Sequence, residues 1–202
     1  MTSHISPEKI SADAGTTPAD ATASWISNHA PARTRPFLQL ARLDRPVGAW
    51  LLLWPCWWSL AFASPASGRQ WPDFTLVVLF AIGAVLMRGA GCTLNDLFDR
   101  NIDGRVERTR GRPLPNGAVT IGAAILFMLS LSLAGLMVLL QFNKLAIWVG
   151  LASIPLVIVY PLMKRITYWP QLFLGLTFNW GALLGWAAAT GGLAPAPLCL
   201  YV

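Results

Sequence analysis

Four acidic side chains, Asp96, Asp99, Asp103 and Glu107, crowd one short stretch, CTLNDLFDRNIDGRVERTRGRPLPNG, from Cys92 to Gly117. Asn95, Asp99 and Asp103 are spaced i, i+4 and i+8, and Asp96 adjoins the first. At about 100° per residue, a helix would gather the spaced three within an arc of roughly 80°. Neighbouring Cβ atoms would then lie about 5–6 Å apart, where like charges destabilise a helix unless something positive sits between them. A solvated loop accounts for the five arginines of the stretch but leaves the acids unexplained. The chemistry that fits is a divalent cation. Magnesium takes one or two carboxylates, retained waters and phosphate oxygens in preference to a full protein cage. The ladder therefore suits magnesium held between protein and a phosphorylated ligand, with nearby basic side chains meeting the phosphate directly.

Other polar residues divide between site and scaffold. Arg88 lies one or two turns before the ladder, inside an apolar run. An arginine at membrane depth is a candidate functional group, suited to an anionic ligand. Arg45, where the first apolar run begins, reads equally as a membrane anchor or a substrate contact. Both histidines, His4 and His29, fall near the N-terminus, so the apolar body has none to serve as base, metal ligand or haem ligand. Cys56, Cys92 and Cys199 form no CxxC pair, and neither a disulfide framework nor a zinc site is indicated.

Membrane helices must position these groups. The chain has 202 residues, 55% hydrophobic and only 12% charged, where soluble domains carry about 25% charged residues. About 20 apolar residues cross the hydrocarbon core as a helix, and inside it every backbone polar group must be satisfied internally. The apolar runs predict spans at 47–64, 74–93, 118–140, 145–163 and 170–190, with a sixth beginning at Leu198. Residues 1–36, rich in Ala, Ser, Thr and Pro, read as a disordered cytoplasmic tail. Residues 37–202 read as the N-terminal part of one membrane domain. Arg33, Arg35, Arg42 and Arg45 precede the first span, the five arginines follow the second, and Lys164 and Arg165 follow the fourth. The opposite connections hold only Arg69 and Lys144. This bias sets the N-terminus and the ladder in the cytoplasm. It also explains the +6 net charge without nucleic acid. Trp50, Trp54, Trp57 and Trp58 form a helical stripe that fits packing or interfacial anchoring better than the lining of an apolar tail. Asn179 reads as an interhelical hydrogen-bonding residue.

The stretch GAGCTLNDLFDRNIDGRVERTRGRPLPNG resembles the first aspartate-rich motif, NDxxDxxxD, of the UbiA superfamily of membrane prenyltransferases. RLDRPVGAWLLLWP and YPLMKRITYWPQLFLG agree with it, and the resemblance runs from about Leu40 to the end of the chain. It implies an all-α, multi-pass bundle of nine membrane helices around a cavity open to lipid, of which this chain covers five spans and part of a sixth. It also implies transfer of a polyprenyl group from its diphosphate to an aromatic acceptor, with magnesium as cofactor. On this resemblance Asn95, Asp99 and Asp103, with Asp96 adjoining, hold the metal and diphosphate. Tyr160 and Lys164 contact the diphosphate, Arg165 reads as a further partner or a membrane anchor, and Arg88 meets the diphosphate or a benzoate carboxylate. Their i, i+4 spacing would put Tyr160 and Lys164 on one face. Asp99, Asp103 and Lys164 would carry catalysis.

The continuation DGxVxRTxxRPLPxG is most similar to the branch whose acceptor is 4-hydroxybenzoate, in ubiquinone biosynthesis, which implies other proteins of that route as partners. Homogentisate, a naphthoate, or a haem or chlorophyll precursor are the alternative acceptors. A magnesium-handling transporter and an assembly subunit are the alternatives outside enzymes. The turn at Pro113–Gly117 reads equally as a cover for the site or a plain connector. The family's second aspartate-rich motif, DxxxD, follows the sixth span, and no acidic residue occurs here after Glu107. The expectation is a truncated form without detectable transfer on its own. Glu8, Asp13 and Asp20 weigh against a transit peptide and favour a bacterial inner membrane over a mitochondrial one.

Overall fold

The structure is a computed structural model describing Ile26, residues 29–107, Thr109 and residues 111–201, without the side chains of Lys164 and Arg165. Most of the predicted tail lies outside these residues; within it, α1 (Arg35–Leu40) already begins. Then come α2 (Val47–Ala63), a 3-10 turn at Pro65–Ser67, α3 (Phe74–Asp103), α4 (Ile121–Leu139), α5 (Lys144–Ala152), α6 (Ile154–Ile166), α7 (Pro170–Thr190) and α8 (Leu198–Tyr201). Every described element is helical, as a multi-pass membrane chain requires.

Four helical segments are long and apolar enough to cross a membrane: Phe74–Asp103, Ile121–Leu139, Lys144–Met163 and Pro170–Thr190. The first predicted span is the shorter helix α2, of 17 residues, about 25 Å at 1.5 Å per residue. The second runs on to Asp103, ten residues beyond its predicted end, because nothing in LNDLFDRNID breaks a helix. The ladder is thus rigidly continuous with the membrane rod. The third starts late, at Ile121, where the Thr120 side chain accepts from the Ala123 amide at 3.2 Å. The fourth divides at Ser153, with Pro155 in the first turn of α6, where its missing N–H does least harm.

Two layers of contact hold the bundle. On one, α2 packs against α7 through GALLG, Gly181 to Gly185. A Cβ on Gly181 would lie 2.5 Å from the Cys56 sulfur, and one on Gly185 would lie 2.7 Å from the Cys56 carbonyl oxygen. Such close backbone approach is how helices associate where lipid removes the hydrophobic drive. The Ser59 hydroxyl adds a hydrogen bond to the Ala182 carbonyl. Gly185→Leu is expected to destabilise the chain by about 1–3 kcal/mol through overpacking. The measurement is denaturation in mixed micelles, with Gly175→Ala as the tolerated control because a Cβ there meets nothing within 4 Å.

The second layer ties the helix ends. Away from the ladder, Asn143 caps α5 by accepting from the Ala146 amide at 2.9 Å and donates to the Ala187 and Ala188 carbonyls at 2.7 and 3.0 Å. Nearby, Asp73 caps α3 by accepting from the Thr75 amide, and the Arg69 guanidinium beside it holds its carboxyl below the usual range. At the ladder end, Leu40, Leu97, Val119 and Ala124 bury one another with Phe37 and Leu114 packed on them. The connection after α3 is therefore folded down onto the helix end. The tryptophan stripe faces outward: Trp50, Trp54 and Trp58 are exposed and in ring contact with one another or with Trp57.

Candidate active site

A cavity of about 1060 Å³ opens between α2, α3, α4, α6 and α7. Its walls are mostly apolar, among them Leu79, Phe80, Leu136, Leu174 and Phe178. Its polar lining includes Arg42, Arg45, Arg88, Asn95, Asp96 and Tyr160. Among the charged residues that line it, three arginines face one carboxylate, so the cavity carries an excess of positive charge. None of Trp50, Trp54, Trp57 and Trp58 lines it, which agrees with the packing reading.

Arg88 reaches the cavity from α3 because α2 leaves room for it. A Cβ on Gly48 would fall 2.2 Å from the Arg88 Nε, so the glycine gives way to the guanidinium. The other side meets the Phe178 ring at 6.0 Å, the range of a cation–π contact. Its Nε is buried with no hydrogen-bond partner. An unsatisfied buried donor costs about 1–3 kcal/mol, and this one lies on the wall of a cavity with room for an acceptor.

Asp96 is the centre of an ion-pair hub. It is 1% exposed. Arg42 Nη2 donates to both of its oxygens, at 3.2 and 3.4 Å, and Arg112 Nη1 approaches Oδ1 at 3.5 Å. The same Arg112 nitrogen donates to Asp103 Oδ2 at 2.6 Å. Burial works against the Arg42 charge, but the Asp96 carboxylate, by its charge and its hydrogen bonds, leads the contributions that together raise the guanidinium pKa.

Arg42 is held in an unusual backbone state. It is the one described non-glycine residue with positive φ, at 57°. The Leu43 amide donates to the Leu38 carbonyl and the Arg42 amide to the Gln39 carbonyl, at 3.1 and 3.0 Å. That pair of bonds is the Schellman ending, whose left-handed position favours glycine. A side chain there costs about 1–2 kcal/mol, and the ion pair with Asp96 offsets it.

The remaining predicted residues are placed as follows. Asn95 and Tyr160 line the cavity with Arg45 and Arg88. Asp99, half-buried, and Asp103, buried, continue up α3 beyond the lining. Lys164 and Arg165 lie on α6, and their side chains are outside the described residues. Among the described residues, no three His, Cys, Asp or Glu side chains converge on a metal position. The donors on this face are nonetheless all hard oxygens. A metal held by one or two of them and completed by ligand oxygens and water is the habit of magnesium. Sequence reasoning missed Arg42, Arg112 and Gly48. The arginines read there only as topology signals, and a glycine at the start of an apolar run was the sole trace of the Arg88 seat.

These features define a membrane-embedded helical protein whose apolar cavity carries a cationic, oxygen-rich head. The chain belongs to the UbiA prenyltransferase family, whose profile matches residues 52–202. It is 55% identical over 162 residues to the "4-hydroxybenzoate polyprenyltransferase, mitochondrial" of Drosophila pseudoobscura pseudoobscura, covering 80% of this chain and 40% of that protein. It is 52% identical over 173 residues to the protein of that name in Arabidopsis thaliana, covering 86% and 42%. For the one in Rattus norvegicus the figures are 50% over 178 residues, 88% and 47%. The chain thus spans less than half the length of these relatives. No solved structure matches it.

Proposed function

We propose that the chain forms the donor-binding half of a prenyltransferase that moves a polyprenyl group from its diphosphate to 4-hydroxybenzoate. The observation that carries this is the cavity itself: one compartment joins a long apolar volume to three arginines, an asparagine and a tyrosine. A small polar ligand would waste the apolar walls, and a simple lipid would leave the buried Arg88 Nε without an acceptor. The names of the relatives, at 50–55% identity, supply the acceptor.

The isoprenoid lies along the apolar walls, and its diphosphate rests at the polar end against Arg45, Arg88, Tyr160, Lys164 and Arg165. Asn95, Asp99 and Asp103 would hold magnesium together with the diphosphate, and the ion would supply positive charge to offset the charge developing on the leaving group. Asp96, committed to two guanidiniums, holds α1 and the 104–120 connection in place. Arg88 and its neighbours stabilise the departing diphosphate from fixed positions, the electrostatic route to a lower barrier. As the allylic carbon–oxygen bond breaks, the electron pair leaves with the diphosphate. The ring carbon ortho to the hydroxyl bonds to the allylic carbon, and its proton passes to the departing diphosphate. Apolar walls keep water from the cationic carbon.

The arginine-rich ends face the cytoplasm, or the matrix in a mitochondrion. The membrane proposed is the bacterial inner membrane, against the mitochondrial location in the relatives' names. The product is a ubiquinone precursor, which makes other ubiquinone-biosynthesis proteins the expected neighbours.

The test uses a form extended to the relatives' length, given radiolabelled polyprenyl diphosphate and an acceptor panel. Magnesium-dependent label on 4-hydroxybenzoate is expected. Label confined to homogentisate or a naphthoate would move the acceptor, and metal flux in liposomes without transfer would replace the enzyme with a transporter.

A further inference from the structure

We propose that Arg112 occupies the metal's place on Asp103 in the ligand-free chain, and exchanges that carboxylate for phosphate oxygens when metal and diphosphate arrive. The proposal rests on the prenyltransferase reading of the site. The ladder demands a positive charge between its acids, and the structure supplies one from within. Arg112 Nη1 lies 2.6 Å from Asp103 Oδ2 and 3.5 Å from Asp96 Oδ1. Seven residues apart, those acids share one face of α3 to within about 20°. While the guanidinium sits there, a divalent ion would meet a like charge at its own ligand.

The neighbourhood allows the exchange to be local. The backbone around Arg112 is anchored. Its carbonyl accepts from the Asn116 amide at 3.1 Å, and the Pro113 carbonyl accepts from the Val119 amide at 3.0 Å. The Thr109 hydroxyl ties the same connection to the Asp103 carbonyl at 2.9 Å, and Leu114 and Val119 pack against Leu40, Leu97 and Ala124. Only the side chain has to swing. Asp96 would not be orphaned by its departure, because Arg42 holds both of its oxygens. Arg112 also has a reason to leave: its Nε is buried with no acceptor, and a phosphate accepts two parallel N–H bonds from the guanidinium fork. Metal and diphosphate therefore bind as a couple. The metal alone must displace an arginine that has nowhere better to go, and the diphosphate provides that place.

The experiment is calorimetry on the wild-type chain, Arg112→Gln and Arg112→Lys in detergent. It uses magnesium alone, then inorganic pyrophosphate at saturating magnesium. Losing a charge-assisted hydrogen bond corresponds to about tenfold or more in affinity. Arg112→Gln is expected to bind magnesium alone about tenfold more tightly and pyrophosphate about tenfold more weakly. Arg112→Lys, which keeps the charge and loses the fork, should shift both in the same directions by less, and it carries the test if the glutamine variant does not fold. Opposite shifts are the signature, because a purely structural arginine would weaken both. Parallel losses, or no change in either, overturn the exchange and leave the prenyltransferase reading standing. A wild-type chain that binds neither ligand overturns both.

Discussion

Replacing Asp96 by Ala is expected to destabilise the chain by about 3–5 kcal/mol, the usual result of removing one partner from a buried ion pair. The carboxylate is buried between two guanidiniums, and its loss strands Arg42 and takes one of two carboxylate partners from Arg112. Arg42 would keep its left-handed backbone without the contact that offsets it. Arg112 would keep only Asp103. Denaturation in mixed micelles measures the effect. Arg42→Met added to Asp96→Ala should recover part of the loss, since removing both partners is far milder than removing one. An Asp96→Ala chain as stable as wild type would show that the hub does not hold α1 and the connection to α3.

The second large effect falls on chemistry. Asp99→Ala, in a form extended to the relatives' length, is expected to lower transfer to 4-hydroxybenzoate by about 10²–10³, the scale of losing one preorganised electrostatic contact. Asp99 is half-buried and one turn from Asn95 and Asp103, so the unfolding midpoint should move little beside that of Asp96→Ala. The two acids, three residues apart on one helix, would then separate cleanly, one by stability and the other by rate. Transfer that survives Asp99→Ala would remove the ladder from the reaction.

That contrast marks what the sequence could convey. Apolar run length is a local property, so α2, α3, α4 and α7 fall where LLLWPCWW, FTLVVLFAIGAVL and their counterparts predict. Helical spacing is local too, and Asn95, Asp99 and Asp103 do share one uninterrupted helix. The division at Ser153 was missed because the run continues through it without loss of hydropathy. The ion-pair hub was illegible for a different reason. Arg42 and Asp96 are 54 positions apart, and no periodicity links them. A strained φ leaves no mark on composition, and Arg112 is indistinguishable in sequence from the other arginines of its loop. The acids could be seen to need a cation, but a cation borne by the chain itself appears only in three dimensions.

The central claim is that the cationic end of the cavity takes up an isoprenyl diphosphate together with magnesium. Calorimetry of the 202-residue chain in detergent, titrated with a short isoprenyl diphosphate, tests it most directly. The account predicts saturable binding with magnesium, abolished by a chelator and sharply weakened in Arg88→Ala. Binding undiminished by the chelator, or no binding with magnesium present, would contradict it.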